Sequence, residues 1–340
     1  MKSSRVKWGF VWIIIASVIW GFAYIPQELV WWNEPLAGLN AEGGVSSIEG
    51  SMVVAAIQCL MFALVLFFLW SCVLNKPKEV ARNFVCWPVS KWFFLCSIIG
   101  GLGAMFGSTL AVAFVGADYA SAIALTCAVV GAIYGRFLFK EKLSKKAILG
   151  IIILTIGGIL VLDPVNLVHS LTDPASKDGL VIGYLGGILS AVGWGIESCY
   201  TVRGLDVADA EATTAVRYGW EVIVWFVFVF PIVGAIVGFD DFYSIVIDCI
   251  TNPNIVLMLG MVALTMGVAD SLINKSLPLL GVGRALSINA LYVPVALLAL
   301  WLFLKDYTIS IWLIIGVIVA VAGTFVMYWD RGDIEDSVRE

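Results

Sequence analysis

The chain has 340 residues, of which 61% are hydrophobic and only 13% are charged, and its formal net charge is −5. A soluble domain averages about 45–50% apolar and about 25% charged residues, so this composition excludes an ordinary soluble protein and indicates a membrane protein. The small negative charge gives no sign of binding to nucleic acid, so we predict a lipid bilayer and a small molecule as the partners.

Ten apolar segments each approach the roughly 20 residues that a helix needs to cross a bilayer. We therefore predict an all-α integral membrane protein with ten transmembrane helices and mostly short connections. The first segment has no small-residue cleavage motif after it, so we expect a retained helix and not a signal peptide. In chain order the segments cover residues 8–31, 51–74, 92–115, 118–139, 146–163, 179–202, 212–238, 254–276, 284–304 and 309–329.

Lys and Arg residues are concentrated in alternate connections, and this asymmetry sets the expected orientation. With a cytoplasmic N-terminus, the outer connections contain only Lys177 and Lys305 as basic residues. We therefore predict a multi-pass protein of the cytoplasmic (inner or plasma) membrane with both termini in the cytoplasm. One inner connection is acidic, with Asp206, Asp209 and Glu211, but acidic residues contribute little to this rule.

The first half of the chain resembles the second half when the sequence is shifted along itself. The tryptophan–glycine pairs that coincide are not generic features of apolar helices, so we interpret the similarity as an internal duplication. The clearest matches are Trp20-Gly21 with Trp194-Gly195 at a shift of 174, Gly116 with Gly281 at 165, and Gly150 and Gly157 with Gly316 and Gly323 at 166.

The duplication predicts two repeats of five helices each. Five is an odd number, so the second repeat enters the membrane from the opposite side and the repeats are inverted. Many secondary transporters use this architecture for alternating access. The predicted units are a first repeat at residues 1–163, a second repeat at residues 179–329 and a cytoplasmic tail at residues 330–340.

Four stretches together resemble the drug/metabolite transporter superfamily in its ten-helix EamA-type form. They are Ile19-Trp20-Gly21-Phe22, Gly193-Trp194-Gly195, the segment FLFKEKLS at 137–144, and the helix 9 segment from Val293-Pro294-Val295 to Phe303-Leu304-Lys305-Asp306. The resemblance covers nearly the whole chain.

This resemblance implies a transporter whose cavity is formed by helices 1–4 and 6–9. Helices 5 and 10 would then be scaffold and a possible dimer surface, in a monomer or homodimer. The chain departs from the usual pattern at Val129, where helix 9 has Pro294 at the corresponding position, and in its long acidic loop at 31–50.

Two acidic residues within apolar segments are candidates for binding or coupling. A charge at the bilayer centre costs about 2.5–3.5 kcal/mol on insertion scales, so such residues usually face a cavity or a partner. Glu197 has no basic residue within four positions, and Asp270 has Asn274 one turn away. We predict that Glu197 is unpaired because its partner is transient, either a cationic substrate or an exchanging proton, with Asp270 as the competing candidate. The alternative for each acid is a buried hydrogen bond between helices.

Other charged residues within the segments have structural interpretations as well as functional ones. Arg217 and Glu221 are four residues apart, on one helix face, where they form either a structural ion pair or a pair that opens for substrate. Glu28 is a residue of either an outer gate or a loop. We expect Lys275 and Arg284, near a helix end, to extend towards the membrane surface.

Aromatic rings near these acids suggest an organic cation as substrate. Trp20 and Tyr24 share a helix face, and Trp194 lies one turn from Glu197. Ring faces attract a cation that the carboxylate neutralises, although ordinary packing explains any single ring equally well. Asn289 and Tyr292 add neutral hydrogen-bonding groups. The predicted substrate-binding residues are Trp20, Tyr24, Trp194, Glu197, Glu221, Asp270, Asn274, Asn289 and Tyr292.

The function that the sequence favours is secondary active transport of a small polar metabolite or organic cation, with a proton or counter-substrate as possible second partner. The alternative substrates are neutral amino acids, nucleosides or sugars. A membrane enzyme or channel is disfavoured because the chain has neither a nucleotide-binding or hydrolase motif nor a filter loop. Seven scattered cysteines and one histidine, without a CxxC motif, predict no metal site, and we expect no cofactor.

Overall fold

A computed structural model of the protein describes residues 2–139, 145–161, 179–304 and 309–328. Within these residues every regular element is helical and there is no strand. Seven helices among them are long and apolar enough to cross a membrane, and three further apolar helices are shorter. The chain is therefore an all-helical protein with the make-up of a multi-pass membrane protein. The predicted tail at 330–340 lies outside the described residues.

We number the apolar helices of the described residues α1 to α10 in chain order. The helices α2 and α3 begin several residues before the predicted starts, and α6 and α8 end several residues after the predicted ends. Their bounds are Val6–Trp32 (α1), Gly44–Phe68 (α2), 87–115 (α3), 117–139 (α4), Lys145–Val161 (α5), Gly179–Leu205 (α6), Ala212–Val237 (α7), Pro253–Leu280 (α8), Val282–Phe303 (α9) and Ile311–Tyr328 (α10).

Two glycines separate consecutive helices in the same way. Gly116 lies between α3 and α4 with φ 87° and ψ 163°, and Gly281 lies between α8 and α9 with φ 79°. A side chain is strained at such positive φ, so glycine is favoured at both junctions. Each following helix also has a turn, at residues 125–126 in α4 and 290–291 in α9. These turns place the residues after them against the interior of the bundle.

Close helix packing depends on glycines in both halves of the chain. Gly21 of α1 lies against Val295 and the carbonyl of Tyr292, whereas Gly195 of α6 lies against Val130 and the carbonyl of Cys127. Glycines let helix backbones approach closely in membranes, where packing replaces the hydrophobic effect between helices. Similar contacts join α5 to α10, with Gly157 next to Gly316 and Gly150 next to Gly323.

Three connections contain short helices that the sequence analysis did not predict. The helix Phe239–Thr251 buries Phe242, Val246 and Cys249, which lie four and three residues apart on one face. Its opposite face carries acidic residues, so the helix lies across the bundle end with one apolar side. The other two short helices are Leu36–Glu42, within the long acidic loop, and Pro77–Val85.

Polar contacts join connections at each end of the bundle. Lys76, before α3, pairs with Asp209, before α7. The Asn252 side chain, before α8, donates a hydrogen bond of 2.7 Å to the carbonyl of Glu34, after α1. Arg203 lies 3.9 Å from Asp206. Asp206 and Asp209, two of the acidic residues in the connection between α6 and α7, thus lie next to basic side chains.

Candidate functional site

A cavity lies in the interior of the bundle, between helices of both halves. It is lined by residues from α1, α4 and α6–α9. It leaves about 50 Å³ for the centres of water-sized molecules, and one water needs about 10–15 Å³ of such space. In this conformation the cavity therefore has room for a few waters or a small cation. Its lining consists of Trp20, Cys127, Trp194, Glu197, Ser198, Thr201, Arg217, Tyr218, Asp270, Ile273, Asn274, Leu286, Asn289 and Tyr292.

A cluster of charged side chains forms one wall of the cavity. Arg217 of α7 has its Nε atom 2.5 Å from Oε1 of Glu197 on α6, and its Nη1 atom 3.3 Å from Oε2 of Glu221. All three residues are buried, with exposed fractions of 4%, 8% and 0% respectively. The prediction that Glu197 is unpaired is therefore wrong, because a helix hairpin brings Arg217 against it. The predicted pair of Arg217 and Glu221 is present.

The backbone of α3 approaches this cluster through two adjacent glycines. A Cβ atom at Gly100 would collide with the Glu197 carboxylate and the Arg217 guanidinium. A Cβ atom at Gly101 would lie 2.5 Å from Cγ and 2.7 Å from Cδ of Glu221. Both glycines belong to a π-helical stretch, Ser97–Met105, and such stretches are frequent at functional sites. The glycine pair therefore provides the space that the charged side chains occupy.

Asp270 of α8 adds a third carboxylate to the same cavity. It is half-buried and faces the cavity beside Tyr218, whose ring lies 4.1 Å from the guanidinium carbon of Arg217. Asn274, one turn further along α8, donates a hydrogen bond of 3.0 Å to Thr214 on α7. Of the charged residues that line the cavity or contact its charged wall, three are acidic and one is basic.

Aromatic rings and the amide of Asn289 line another part of the cavity. The rings of Trp20 and Trp194 meet edge to face with their centroids 5.9 Å apart. Tyr292 lies 6.3 Å from Trp20 and stacks on Tyr24 at 5.8 Å. Asn289 accepts a hydrogen bond of 3.2 Å from Ser17. This wall presents ring edges and faces beside the carboxylates.

The predicted site residues come together with two exceptions. Trp20, Trp194, Glu197, Asp270, Asn274, Asn289 and Tyr292 all line the cavity. Glu221 is behind the cavity wall, in contact with Arg217, and Tyr24 is behind Tyr292. Both are therefore one layer removed from the space that a ligand would occupy.

Four contributors to this site were not predicted from the sequence. Arg217 was assigned only to Glu221, and Tyr218 was not considered. The adjacent glycines Gly100 and Gly101 were also not considered as site residues. The sequence did contain one relevant signal, a pair of adjacent glycines in a chain with several acidic residues inside apolar segments. A buried charged side chain needs space, and in a closely packed bundle a glycine on a neighbouring helix provides it.

Charged residues elsewhere in the helices have specific contacts. Glu28 accepts a hydrogen bond of 2.8 Å from the backbone N–H of Ala117, immediately after the break at Gly116. Lys275 lies 5.4 Å from the ring centroid of Trp12. Arg284 is only 6% exposed, so the expectation that it extends to the surface is wrong; it lies in the first turns of α9, packed inside the bundle.

No protein-family model and no curated protein matches this sequence. A solved structure described only as "Crystal structure of protein" is similar, with a TM-score of 0.53 and 15% sequence identity. The similarity covers 96% of this chain and 97% of that chain. At this level of identity, the comparison establishes a shared fold over the full length and nothing about activity.

Proposed function

We propose that the protein is a secondary active transporter that moves a small organic cation or polar metabolite across the cytoplasmic membrane by alternating access. The observation that carries this proposal is the buried cavity with a wall of carboxylates and a wall of aromatic rings. Ionisable residues inside a membrane are costly, and they mark substrate or ion pathways by default. The cavity is small and interior, as expected for a substrate site that opens to one side at a time.

The balance of charges favours a cation. Arg217 can neutralise one of Glu197, Glu221 and Asp270, which leaves an excess of two acidic groups. A unit charge about 4 Å from a carboxylate gains about 4 kcal/mol at an effective dielectric constant of about 20. Protons or a cationic substrate would supply the missing positive charge, and the ring faces of Trp20 and Trp194 would add to the attraction.

The matching contacts of the two halves support an inverted repeat. Under the shifts of 174 and 165 residues, Gly21 corresponds to Gly195, Val295 to Val130, and Tyr292 to Cys127. Each glycine packs on the corresponding partners of the other half. The probability of such agreement from unrelated helices is small, because it requires both the same spacing and the same rotation.

The helices α5 and α10 agree with the same symmetry. Gly157 contacts Gly316, and Gly150 contacts Gly323, while Gly150 and Gly157 correspond to Gly316 and Gly323 in the repeat. Reciprocal contacts of this kind are those of a two-fold, self-complementary interface. Two halves with a common fold and opposite orientation could exchange conformations, and the exchange would turn the cavity from one side of the membrane to the other.

We further propose ten membrane crossings and cytoplasmic termini. The contact of Asn252 with Glu34 and that of Lys76 with Asp209 each join two connections that the ten-span topology assigns to one side. The basic residues favour the second of these sides as cytoplasmic. With this topology we assign the chain to the drug/metabolite transporter superfamily, on the sequence motifs described above.

Neutral polar substrates are the second candidate class. The indole Nε1 of Trp20 has no hydrogen-bond acceptor among the described residues, although Trp20 lines the cavity. A substrate with carboxylate, hydroxyl or carbonyl oxygens would supply an acceptor for this donor. This class includes the amino acids, nucleosides and sugars that the sequence left open.

A ligand screen followed by a transport assay tests the proposal. Purified protein would be screened by thermal shift against amines, amino acids, nucleosides and sugars, since a bound ligand stabilises the folded state. The best ligand would then be followed as a radiolabelled substrate in proteoliposomes. We expect an amine among the ligands and uptake driven by a gradient of protons or counter-substrate.

Glu197→Gln is the informative variant in this assay. We expect it to fold, because Arg217 retains Glu221 as an ionic partner, and to lose at least tenfold in amine transport. Asp248→Asn is the matched control, since Asp248 is an exposed acid of an outer connection. A wild-type rate in Glu197→Gln, or an equal loss in Asp248→Asn, would rule out Glu197 as the cation-binding group.

A further inference from the structure

Arg217 occupies the place where a cationic ligand would be expected. Its side chain lines the cavity, pairs with Glu197 on the cavity wall, and lies over the ring of Tyr218. Carboxylate and aromatic face are the two contacts that an organic cation would use. The protein therefore already has a cation in this position, attached to α7.

The guanidinium of Arg217 also contacts a second carboxylate. Glu221 lies 3.3 Å from Arg217 Nη1, is fully buried, and does not line the cavity. Arg217 thus lies between Glu197, which a ligand in the cavity can contact, and Glu221, which it cannot. If a ligand formed an ion pair with Glu197, the guanidinium would still have Glu221 as its partner.

The directional bonding in this cluster is incomplete. Neither Nε nor Nη1 of Arg217, nor either oxygen of Glu221, makes an aligned hydrogen bond with the described residues. Strong arginine–carboxylate pairs usually have two parallel hydrogen bonds, which fix their geometry. The guanidinium is therefore held chiefly by charge, and a small displacement towards Glu221 would break few oriented bonds.

The glycine pair of α3 provides the space in which these three charged groups lie. Gly100 faces Glu197 and Arg217, and Gly101 faces Glu221. A methyl group at either position would occupy the volume that the carboxylates and the guanidinium now share. The bare backbone thus extends along all three charged side chains.

We propose that Arg217 is a tethered cation that competes with the transported cation for Glu197. In the empty protein Arg217 is shared between Glu197 and Glu221; when a cationic substrate pairs with Glu197, Arg217 moves to Glu221. The substrate's departure returns Arg217 to Glu197, so that neither Glu197 nor Glu221 is without a cationic neighbour in either state. This inference rests on the proposed function, because it assigns the substrate to the same cavity.

Equilibrium binding of ethylammonium to purified protein tests the competition, with acetamide as the neutral control of similar size. We expect Arg217→Gln to bind ethylammonium at least tenfold more tightly than wild type, because no attached cation opposes it. Arg217→Lys should remain within a few fold of wild type. Glu221→Gln should bind ethylammonium several fold more weakly, because Arg217 then has Glu197 as its remaining partner in the pair. None of the variants should bind acetamide more tightly.

The single variant Arg217→Gln leaves Glu197 and Glu221 buried without their cationic partner, which destabilises the fold. A double variant therefore provides a second test. Arg217→Gln with Glu221→Gln removes one charge of each sign and keeps the net charge of the site. It should also bind ethylammonium at least tenfold more tightly than wild type. Affinity equal to or weaker than wild type in folded Arg217→Gln, alone or combined with Glu221→Gln, or no detectable binding to it, would overturn the inference.

Transport of the same probe in proteoliposomes separates the two proposals. Tighter binding in the Arg217→Gln variants without transport by the wild type would refute the transporter and leave the tethered cation in place. Ethylammonium transport by the wild type with unchanged affinity in the Arg217→Gln variants would refute the tethered cation and leave the transporter in place.

Discussion

Replacing Gly101 by alanine should disturb the buried charge cluster directly. The added Cβ atom would lie 2.5 Å from Cγ, 2.7 Å from Cδ and 2.8 Å from Oε1 of Glu221. Glu221 is fully buried, so its side chain has no solvent-filled space to enter. Either the α3 backbone or the ion pair with Arg217 must therefore shift. Extra methyl groups in a well-packed interior typically destabilise by about 1–3 kcal/mol.

Gly103→Ala provides a matched control for this substitution. Gly103 belongs to the same π-helical stretch, and the nearest atom to its added Cβ would be the Cα of Gly193 at 3.8 Å, an ordinary contact. The helix preference of alanine over glycine, about 1 kcal/mol, applies to both variants and cancels in the comparison. Gly101→Ala should therefore be less stable than Gly103→Ala by about 1–3 kcal/mol, which is about 5- to 150-fold in the unfolding equilibrium.

Denaturant-induced unfolding of both variants in the same mixed micelles measures this difference. Ethylammonium binding measured alongside should fall in Gly101→Ala and stay near the wild-type value in Gly103→Ala. Equal stability and equal binding in the two variants would show that α3 does not pack against Glu221 as described. That result would also contradict the described contacts between the glycine pair and the charged cluster.

Two further predictions concern topology and the helix breaks. An impermeant maleimide added to intact cells should label Glu42→Cys and spare Cys72 and Cys86, the exposed native cysteines of the proposed cytoplasmic side; the reverse pattern would invert the orientation. Gly281→Ala should destabilise by about 1–3 kcal/mol, because φ 79° with ψ 152° is a conformation that essentially only glycine adopts, and nothing lies within 4 Å of the added Cβ. Gly260→Ala, with equally open surroundings at ordinary φ, should instead be neutral or stabilising, and similar unfolding free energies for the two would contradict the backbone argument.

The helices could be predicted from sequence because membrane insertion depends on local composition. A run of about 20 apolar residues is sufficient to identify a segment, whatever it packs against. The short helix Phe239–Thr251 was not predicted, because only one of its faces is apolar and its sequence therefore contains no long apolar run. Its burial of Phe242 and Cys249 depends on the bundle end beneath it.

The pairing of Glu197 could not be predicted from sequence spacing. The i,i+4 rule identifies partners on one helix, such as Arg217 and Glu221, but a partner on a neighbouring helix depends on how both helices are rotated. In soluble proteins an apolar stripe reveals that rotation. The apolar residues of α6 are spread around the helix and give no such stripe. The facing of Glu197 and Arg217 therefore becomes visible only in three dimensions.

The proposed repeat is symmetric in its backbone and asymmetric in its chemistry. Under the shift of 174 residues Glu197 corresponds to Ala23, and under the shift of 165 Asp270 corresponds to Met105. Both counterparts are buried and uncharged. Glycines that contribute to helix packing thus occur at corresponding positions of both halves, whereas the three acids of the cavity cluster, Glu197, Glu221 and Asp270, all belong to the second half. If the exchange of two similar halves reverses access, a single set of charges near their interface is sufficient, because the same carboxylates are then presented to each side in turn.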